Sequence, residues 1–318
     1  SEALGWAPKR SLMQKRPLTD SRPLAIALTC AASFLFAFLD TGAKCLATVV
    51  HMPVLQIIWV RFMVNTLLIV VMLGPRQVRR ALPSNKLMNQ LLRSVFLIGA
   101  TAFNFLALQH LQLDQTATIF FLSPFIVAAF AGPMLGEWIG WHRILAICVG
   151  FTGVLFVTRP GFGNIHWAVS FSLLATLSYA LYILWTRYLA RFDSARTTLV
   201  YTPLAGAVFV APLAFASWQM PVGIWVWSVL LSLGLLGGFG HWLLILAHER
   251  APAPILAPFG YISIVFMIAL GFTVFGDVPS WWTLIGAAII ILSGVYLIFR
   301  EHYGPGSAPA SSATVVEG

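Results

Sequence analysis

The sequence predicts an all-α, polytopic membrane protein with ten transmembrane helices arranged as two inverted five-helix repeats. The first observation is composition, since 59% of the 318 residues are hydrophobic and 9% are charged, whereas a soluble domain carries about 25% charged residues. The second is a set of ten apolar runs, each near the roughly 20 residues that a spanning helix needs. The third is a group of short sequence marks that occurs twice in the same order.

These marks lie in the later part of each half of the chain. The first copy reads A-x4-L-S-P-F from Ala117 to Phe125, followed by Gly136-Glu137, Trp141 and Gly153-Val154. The second copy reads A-x4-L-A-P-F from Ala251 to Phe259, followed by Gly276-Asp277, Trp281 and Gly294-Val295. A fixed order of such marks on an apolar background indicates one ancestral unit that was duplicated.

With these marks the chain resembles the drug/metabolite transporter superfamily, specifically the EamA-type ten-helix carriers, which consist of two homologous five-helix halves. The resemblance covers roughly residues 24–300, and within the family it is greatest for the amino-acid exporters. It implies a transporter, not an enzyme. Because the marks are packing motifs, they do not identify the substrate.

The apolar runs divide the chain into repeats and tails. The ten runs are Leu24–Val49, Val54–Leu73, Ser94–Leu111, Thr116–Leu135, Trp141–Val157, Trp167–Trp185, Thr197–Phe215, Ile224–Ala247, Ile255–Phe275 and Trp282–Phe299. The first five-helix repeat is predicted at residues 23–160 and the second at 161–303. Residues 1–22 form a basic amino-terminal tail, and residues 304–318 form a small, polar tail that we expect to be disordered.

The net charge of +9 is explained by the loops and requires no nucleic acid partner. Basic residues precede the first run and separate the second from the third, as the positive-inside rule describes; they are Lys9, Arg10, Lys15, Arg16, Arg22, Arg76, Arg79, Arg80, Lys86 and Arg93. The rule predicts that both termini are cytoplasmic, in the inner membrane of a bacterium. Five helices per half is an odd number, so the second half enters the bilayer in the opposite sense, with the equivalent Arg159 and Arg300 on opposite sides.

The three cysteines give no sign of a disulfide framework. Cys30, Cys45 and Cys148 all lie inside apolar runs, where a free thiol behaves as a small hydrophobic side chain. The sequence contains no Walker A motif, no HExxH and no paired Cys-x-x-Cys. We therefore expect no metal and no cofactor, and the expected partners are a small-molecule substrate and the lipid bilayer, with a monomer as one expectation for the assembly state.

Four polar residues of the first two runs are the main candidates for a substrate site. Asp40 and Lys44 lie one helical turn apart, as do Arg61 and Asn65. Ionisable groups at this depth cost about 2.5 to 3.5 kcal/mol each on insertion scales, so they face a cavity or a partner. In one interpretation Asp40 pairs with Lys44 while Arg61 binds an anionic group of the substrate. In the other, Asp40, Lys44 and Arg61 form a closed structural network.

Further candidates lie in the third, sixth and eighth runs. Asn104 is an amide within an apolar helix, and it suits either substrate contact or interhelical hydrogen bonding. Tyr179 and Tyr182 follow at i+3 spacing, as a binding wall or as packing, and their buried hydroxyls need partners. His241 follows a glycine-rich stripe near the midplane, where it suits proton handling or packing.

Paired helix interruptions give the last set of candidates. Pro124 and Pro258 are equivalent in the two halves and are predicted to break their helices and to shape a gate. Tyr261 lies three residues after Pro258 and is a candidate for the same wall. The acids of the Gly136-Glu137 and Gly276-Asp277 marks are predicted to cap the helices that follow them.

The leading prediction is a secondary transporter that exports amino acids by alternating access. The first alternative is uptake of an aromatic or cationic metabolite such as riboflavin or S-adenosylmethionine. The second is an intramembrane enzyme, for which Asp40, Lys44 and His241 are the one conceivable catalytic set. A channel is disfavoured, because no filter sequence or repeated ring of charges is visible.

Overall fold

The computed structural model describes residues 22–135, 141–158, 166–251, 256 and 259–303, and within them it contains helices and no β-strand. The helices are α1 Arg22–Thr48, α2 Val54–Leu73, α3 Pro75–Ala81, α4 Leu87–Leu108, α5 Leu113–Phe120, α6 Ser123–Leu135, α7 Trp141–Thr158, α8 Ala168–Leu189, α9 Ala195–Ala216, α10 Ile224–His248, α11 Ile262–Leu270 with a π-helical turn at Gly271–Phe275, and α12 Trp281–Tyr303.

The predicted polytopic all-α fold is confirmed. In the described part of the chain, seven helical segments are long and apolar enough to cross a membrane, and shorter apolar helices lie at Ile147–Val157, Ile262–Phe275 and Trp281–Tyr296. Together they occupy the ten predicted runs. The tails at 1–21 and 304–318, and the predicted repeat boundary between 160 and 161, lie outside the described residues.

Three details of the helices differ from the predicted runs. The fourth run consists of two helices: α5 ends at Phe120 and α6 begins at Ser123. A short helix, α3, follows Gly74 and starts at Pro75, whose fixed φ suits the first helical position. Finally, α4 begins at Leu87 instead of Ser94, because a charged residue assigned to the loop, Arg93, is buried inside the helix.

The helix contacts repeat when the two halves are exchanged. The first helix group consists of α1, α2, α10 and α11, in which α1 packs against α10 and α11 while α2 packs against α10. The second helix group consists of α4, α5, α6, α8 and α9, in which α8 packs against α4 and α6 while α9 packs against α4. Exchange of α1 with α8, α2 with α9, α4 with α10 and α6 with α11 converts one set into the other. This exchange is the pattern that a duplicated five-helix unit produces.

Small residues bring particular helices close together. The fifth helices of the two halves, α7 and α12, pack against each other, and a Cβ on Gly153 would lie 2.8 Å from the carbonyl oxygen of Gly286. In α9, Gly206 leaves room for the ring of Phe62 on α2. Such contacts let helix backbones approach in a membrane, where van der Waals packing replaces the hydrophobic effect.

Candidate substrate-binding site

A cavity of about 290 Å³ lies between the two helix groups. Residues of both halves line it: α1, α2, α4 and α5 from the first, and α8, α10 and α11 from the second. Ligand pockets of drug-sized molecules occupy about 300–1,000 Å³, so the cavity is suited to a small metabolite. A cavity at the interface of two repeats is also where secondary transporters bind their substrates.

One face of α1 forms a long wall of the cavity. Thr29, Ser33, Phe36 and Asp40 all line it, and their spacing of four, three and four residues keeps them on one side of a helix. At 1.5 Å per residue the wall is about 16 Å long. Lys44 continues the same stripe by one turn, beyond the end of the cavity.

Two hydrogen bonds cross the cavity from one helix group to the other. Asn104 Nδ2 donates to Asp40 Oδ1 at 3.1 Å, and Arg61 Nη1 donates to Thr101 Oγ1 at 2.8 Å. Asp40 and Arg61 belong to the first helix group, whereas Thr101 and Asn104 belong to the second. A solute with polar groups of its own can replace these two hydrogen bonds. Binding of the solute can then change the distance between the first and the second helix group.

Arg61 reaches the cavity because a residue of α10 without a side chain, Gly237, leaves space beside it. A Cβ on Gly237 would lie 3.4 Å from Arg61 Nε and 3.2 Å from Leu39 Cδ1. The glycine therefore gives the guanidinium room between α1 and α10. The charge of Arg61 also acts on Asp40 electrostatically, so the cavity holds one positive and one negative side chain.

The remaining walls are largely aromatic. Tyr179 packs against Phe120 with ring centroids 4.8 Å apart, and His241 lies edge-on to Phe36 at 5.0 Å. The aromatic rings that line the cavity are Phe36, Phe105, Phe120, Phe121 and Tyr179. Flat apolar faces beside a polar cluster suit a ligand with an aromatic part and a polar part.

Of the predicted substrate residues, Asp40, Arg61, Asn104, Tyr179 and His241 line the cavity. Lys44 does not, and the predicted pairing of Lys44 with Asp40 is wrong. Lys44 Nζ lies 2.8 Å from Asp277 Oδ2 and 4.6 Å from the centroid of the Phe275 ring. This ion pair separates Lys44 from Asp40 and His241, with which it would form the conceivable catalytic set.

The predicted capping role of Asp277 is also wrong. Gly276 has a φ of 71° and ends the π-helical turn, as glycine does at helix ends, because this left-handed conformation strains other residues. Asp277 follows at once and its carboxylate accepts from Lys44. Ser280 caps α12 in its place, since Ser280 Oγ accepts from the backbone N–H of Thr283 at 3.1 Å. Glu137 lies outside the described residues.

The other predicted residues lie beside the cavity. Asn65 faces α10, where a Cβ on Gly238 would lie 3.0 Å from Asn65 Oδ1. Tyr261 packs edge-on against Phe121, with ring centroids 4.9 Å apart. Pro124 follows the break between α5 and α6, and Pro258 lies outside the described residues. Gating by the two prolines stays a prediction.

Arg93 is a buried side chain, although the positive-inside rule predicts it in a loop. It is 4% exposed, and its guanidinium donates to Thr186 Oγ1 at 2.6 Å, Thr202 Oγ1 at 2.6 Å and Tyr182 Oη at 2.8 Å. Arg93 Nη1 also donates to the carbonyl of Thr198 at 3.1 Å. These bonds join α4 to α8 and α9 within the second helix group. The i+4 spacing of Tyr182 and Thr186, with Thr198 and Thr202, was a signal for such a polar cluster.

Comparison with known proteins gives the family. The model of the EamA-like transporter family matches the chain in two segments, residues 23–159 and 166–300. The chain belongs to the EamA-like transporter family. Because the family model matches once in each half, the duplication seen in the sequence marks is found again by an independent comparison.

Relatives of this EamA-like transporter carry different substrates. It is 28% identical to the riboflavin transporter of Vibrio cholerae serotype O1, over 84% of this chain and 90% of the relative. It is 28% identical to a pseudopaline exporter of Pseudomonas aeruginosa, over 86% and 95%. It is 25% identical to the S-adenosylmethionine uptake transporter of Rickettsia bellii, over 82% and 89%. The chain is therefore a multi-pass membrane transporter of the drug/metabolite superfamily.

A solved crystal structure shares the fold. It aligns with a TM-score of 0.61 at 18% identity, and the alignment covers 88% of this chain and 99% of the other. At this identity the likeness concerns the fold and not the substrate.

Proposed function

We propose that the chain is a secondary transporter that moves a small, net-neutral metabolite with an aromatic part by alternating access. The observation that carries the proposal is the cavity between the two helix groups, in which Asp40 and Arg61 face aromatic walls. The two charges balance, so a neutral or zwitterionic solute leaves no charge uncompensated. A solute with a net positive charge, such as S-adenosylmethionine, would leave one.

The first candidate substrate is riboflavin or a similar flat heteroaromatic compound. Its ring would lie against Phe120 and Tyr179, and its polar groups would replace the bonds that join Asp40 to Asn104 and Arg61 to Thr101. The relatives named as riboflavin transporters support this choice.

The second candidate is an amino acid, with export as the predicted direction. Arg61 suits its carboxylate and Asp40 its ammonium group. None of the relatives compared above is named for amino-acid transport, so the support comes from the opposite charges of the cavity alone.

We infer that the amino terminus lies in the cytoplasm of a bacterium, with the carboxyl terminus on the same side. Exposed arginines of α3 support this orientation, since Arg76, Arg79 and Arg80 lie at the end of the bundle where α2 ends. The opposite end, where α1 ends and α5 begins, is then the outer end of the bundle.

Counterflow into proteoliposomes tests the proposal. Labelled riboflavin, a mixture of amino acids and S-adenosylmethionine are offered separately, and the chemical identity of the labelled compound is checked afterwards. We expect riboflavin to exchange unaltered, and Arg61→Ala to impair exchange more than Glu137→Gln does. Exchange of amino acids alone would favour the second candidate, and a modified product would indicate an enzyme.

A further inference from the structure

A second polar cluster lies beyond the cavity, at the outer end. It consists of Lys44 on α1, Asp277 after the π-helical turn and Asp114 in the first turn of α5. Lys44 and Asp277 form the ion pair described above, and both act electrostatically on Asp114. The elements meet at Gly271, where a Cβ would lie 3.7 Å from Asp277 Cβ and 4.0 Å from Leu113 Cβ.

Asp114 is the unusual member of this outer cluster. Its side chain is 4% exposed, and among the described residues its Oδ2 has no hydrogen-bond partner. A buried polar atom without a partner is unfavourable, and more so when it is charged. A proton on Asp114 removes the charge.

The charges of the outer cluster do not balance when both acids are ionised. Two carboxylates then share the single ammonium group of Lys44. Where the structure describes their side chains, the helices that pack against α5 carry their charged residues toward the opposite end, namely Arg93 on α4 and Arg187 on α8, and α11 has no charged residue. At the outer end His110, in the turn before α5, stacks on His166 with ring centroids 5.4 Å apart. The side chains of Arg143 on α7 and of Arg300 and Glu301 on α12 lie outside the described part. Arg159, which follows α7, lies outside the described residues.

We propose that Asp114 is a proton-binding site that controls the opening of the outer end. When Asp114 is protonated, it packs as a neutral group beside the Lys44–Asp277 ion pair and the outer end is closed. When its O–H bond breaks and the proton passes to water, two carboxylates adjoin one ammonium group and repel each other. Asp114 belongs to the second helix group and Asp277 is joined to the first, so their separation opens the cavity outward. The inference rests on the proposed alternating access, though not on the identity of the substrate.

Thiol labelling of a cavity residue tests this site. Cys30, Cys45 and Cys148 are changed to Ser, and Ala117→Cys is added, because Ala117 lines the cavity one turn beyond Asp114. A membrane-impermeant thiol reagent is applied to the outer face of oriented vesicles between pH 5 and 9. Thiol reactivity itself rises with pH, so each rate is divided by that of the same protein with Asp114→Asn, which keeps the shape of the side chain and cannot ionise.

The corrected labelling rate should rise at least about fivefold with pH, through one titration step. Asp277→Asn removes a like charge and should move the midpoint to lower pH, whereas Lys44→Gln removes an opposite charge and should move it higher, each by about one pH unit or more. A flat ratio, or midpoints that do not move in opposite directions, would overturn the inference. Failure of counterflow with normal labelling would instead count against the proposed function.

Discussion

Lys44 of α1 and Asp277 lie 233 residues apart in the chain, and their 2.8 Å ion pair joins the first five-helix half to the second. The side chains are 10% and 23% exposed, so neither charge is well solvated if its partner is lost. Gly276 orients the pair, because its left-handed conformation turns the chain at the end of the π-helical turn. The ion pair is therefore a contact between the two halves, and it lies one helical turn beyond the end of the α1 wall.

Breaking this ion pair should destabilise the protein, and exchanging the two charges should restore part of the lost stability. We expect Lys44→Met and Asp277→Asn each to cost about 1–3 kcal/mol, less than a fully buried pair because both groups are partly exposed. Thermal unfolding in detergent measures the loss. The charge-reversed double variant, Lys44→Asp with Asp277→Lys, should recover part of it, and a double variant no better than the two losses added would contradict the pairing.

Two asparagines provide a matched test of the cavity. Asn104 donates to Asp40 inside the cavity, whereas Asn65 faces α10 outside it. Hydrogen bonds to charged groups contribute about 1.5–3 kcal/mol, so Asn104→Ala should lower transport at low substrate concentration about tenfold. Asn65→Ala should change it less than about twofold. Initial rates of counterflow measure both, and equal losses would remove Asn104 from the site.

Arg93 should be required for stability to a degree that exposed arginines are not. Arg93→Met leaves the hydroxyls of Tyr182, Thr186 and Thr202 without their donor, and we expect a loss of at least about 3 kcal/mol. Arg79→Met, on the exposed side of α3, is the control and should stay within about 0.5 kcal/mol. Thermal unfolding of the two variants in one detergent compares them, and similar melting temperatures would refute the buried cluster.

Gly276 and Gly260 separate backbone strain from steric crowding. At either position a Cβ would have no atom within 4 Å of it, but Gly276 alone of the two has a positive φ. Gly276→Ala should therefore cost about 1 kcal/mol or more, the penalty for the left-handed conformation, while Gly260→Ala should leave the melting temperature within about 1 °C. The opposite ranking would show that the turn before Asp277 has another conformation.

Asp193 gives the protein an acid-sensitive loop. Burial opposes the ionised form, but hydrogen bonds from Ser84, Gln90 and Asn85 outweigh it and lower the pKa of Asp193. A lowered pKa adds stability that is present above the unfolded value, about 3.9, and is lost as the pH falls through the folded value. The difference in melting temperature between the native chain and Asp193→Asn should therefore shrink below about pH 4. A constant difference down to pH 3 would contradict this assignment.

The number of membrane segments could be predicted because length and hydrophobicity decide it. The bounds of α2, Val54–Leu73, agree with the predicted run at both ends. The start of α4 was predicted wrongly because the positive-inside rule assigns arginines to loops. Inside the bundle, however, Thr186, Thr202 and Tyr182 accept hydrogen bonds from Arg93. A hydropathy value describes the transfer of an isolated side chain into the membrane, and it does not include hydrogen bonds from neighbouring residues in the folded protein.

The candidate site could be predicted in part for a similar reason. An ionisable side chain within an apolar run needs a cavity or a partner, and this argument selects Asp40 and Arg61 correctly as cavity residues. It does not choose the partner. Sequence spacing suggests that Lys44 pairs with Asp40, one helical turn away, but in the structure Lys44 pairs with Asp277. The aromatic walls at Phe120 and Phe121 were missed because phenylalanine in an apolar run has no distinguishing signal.

The contact between Gly153 and Gly286 closes the space between α7 and α12 to a solute. At this level α7 and α12 touch backbone to backbone, so an acyl chain cannot fit between them. A compound dissolved in the lipid therefore has no lateral portal between α7 and α12 at this level, and any lateral entry must lie between other helices.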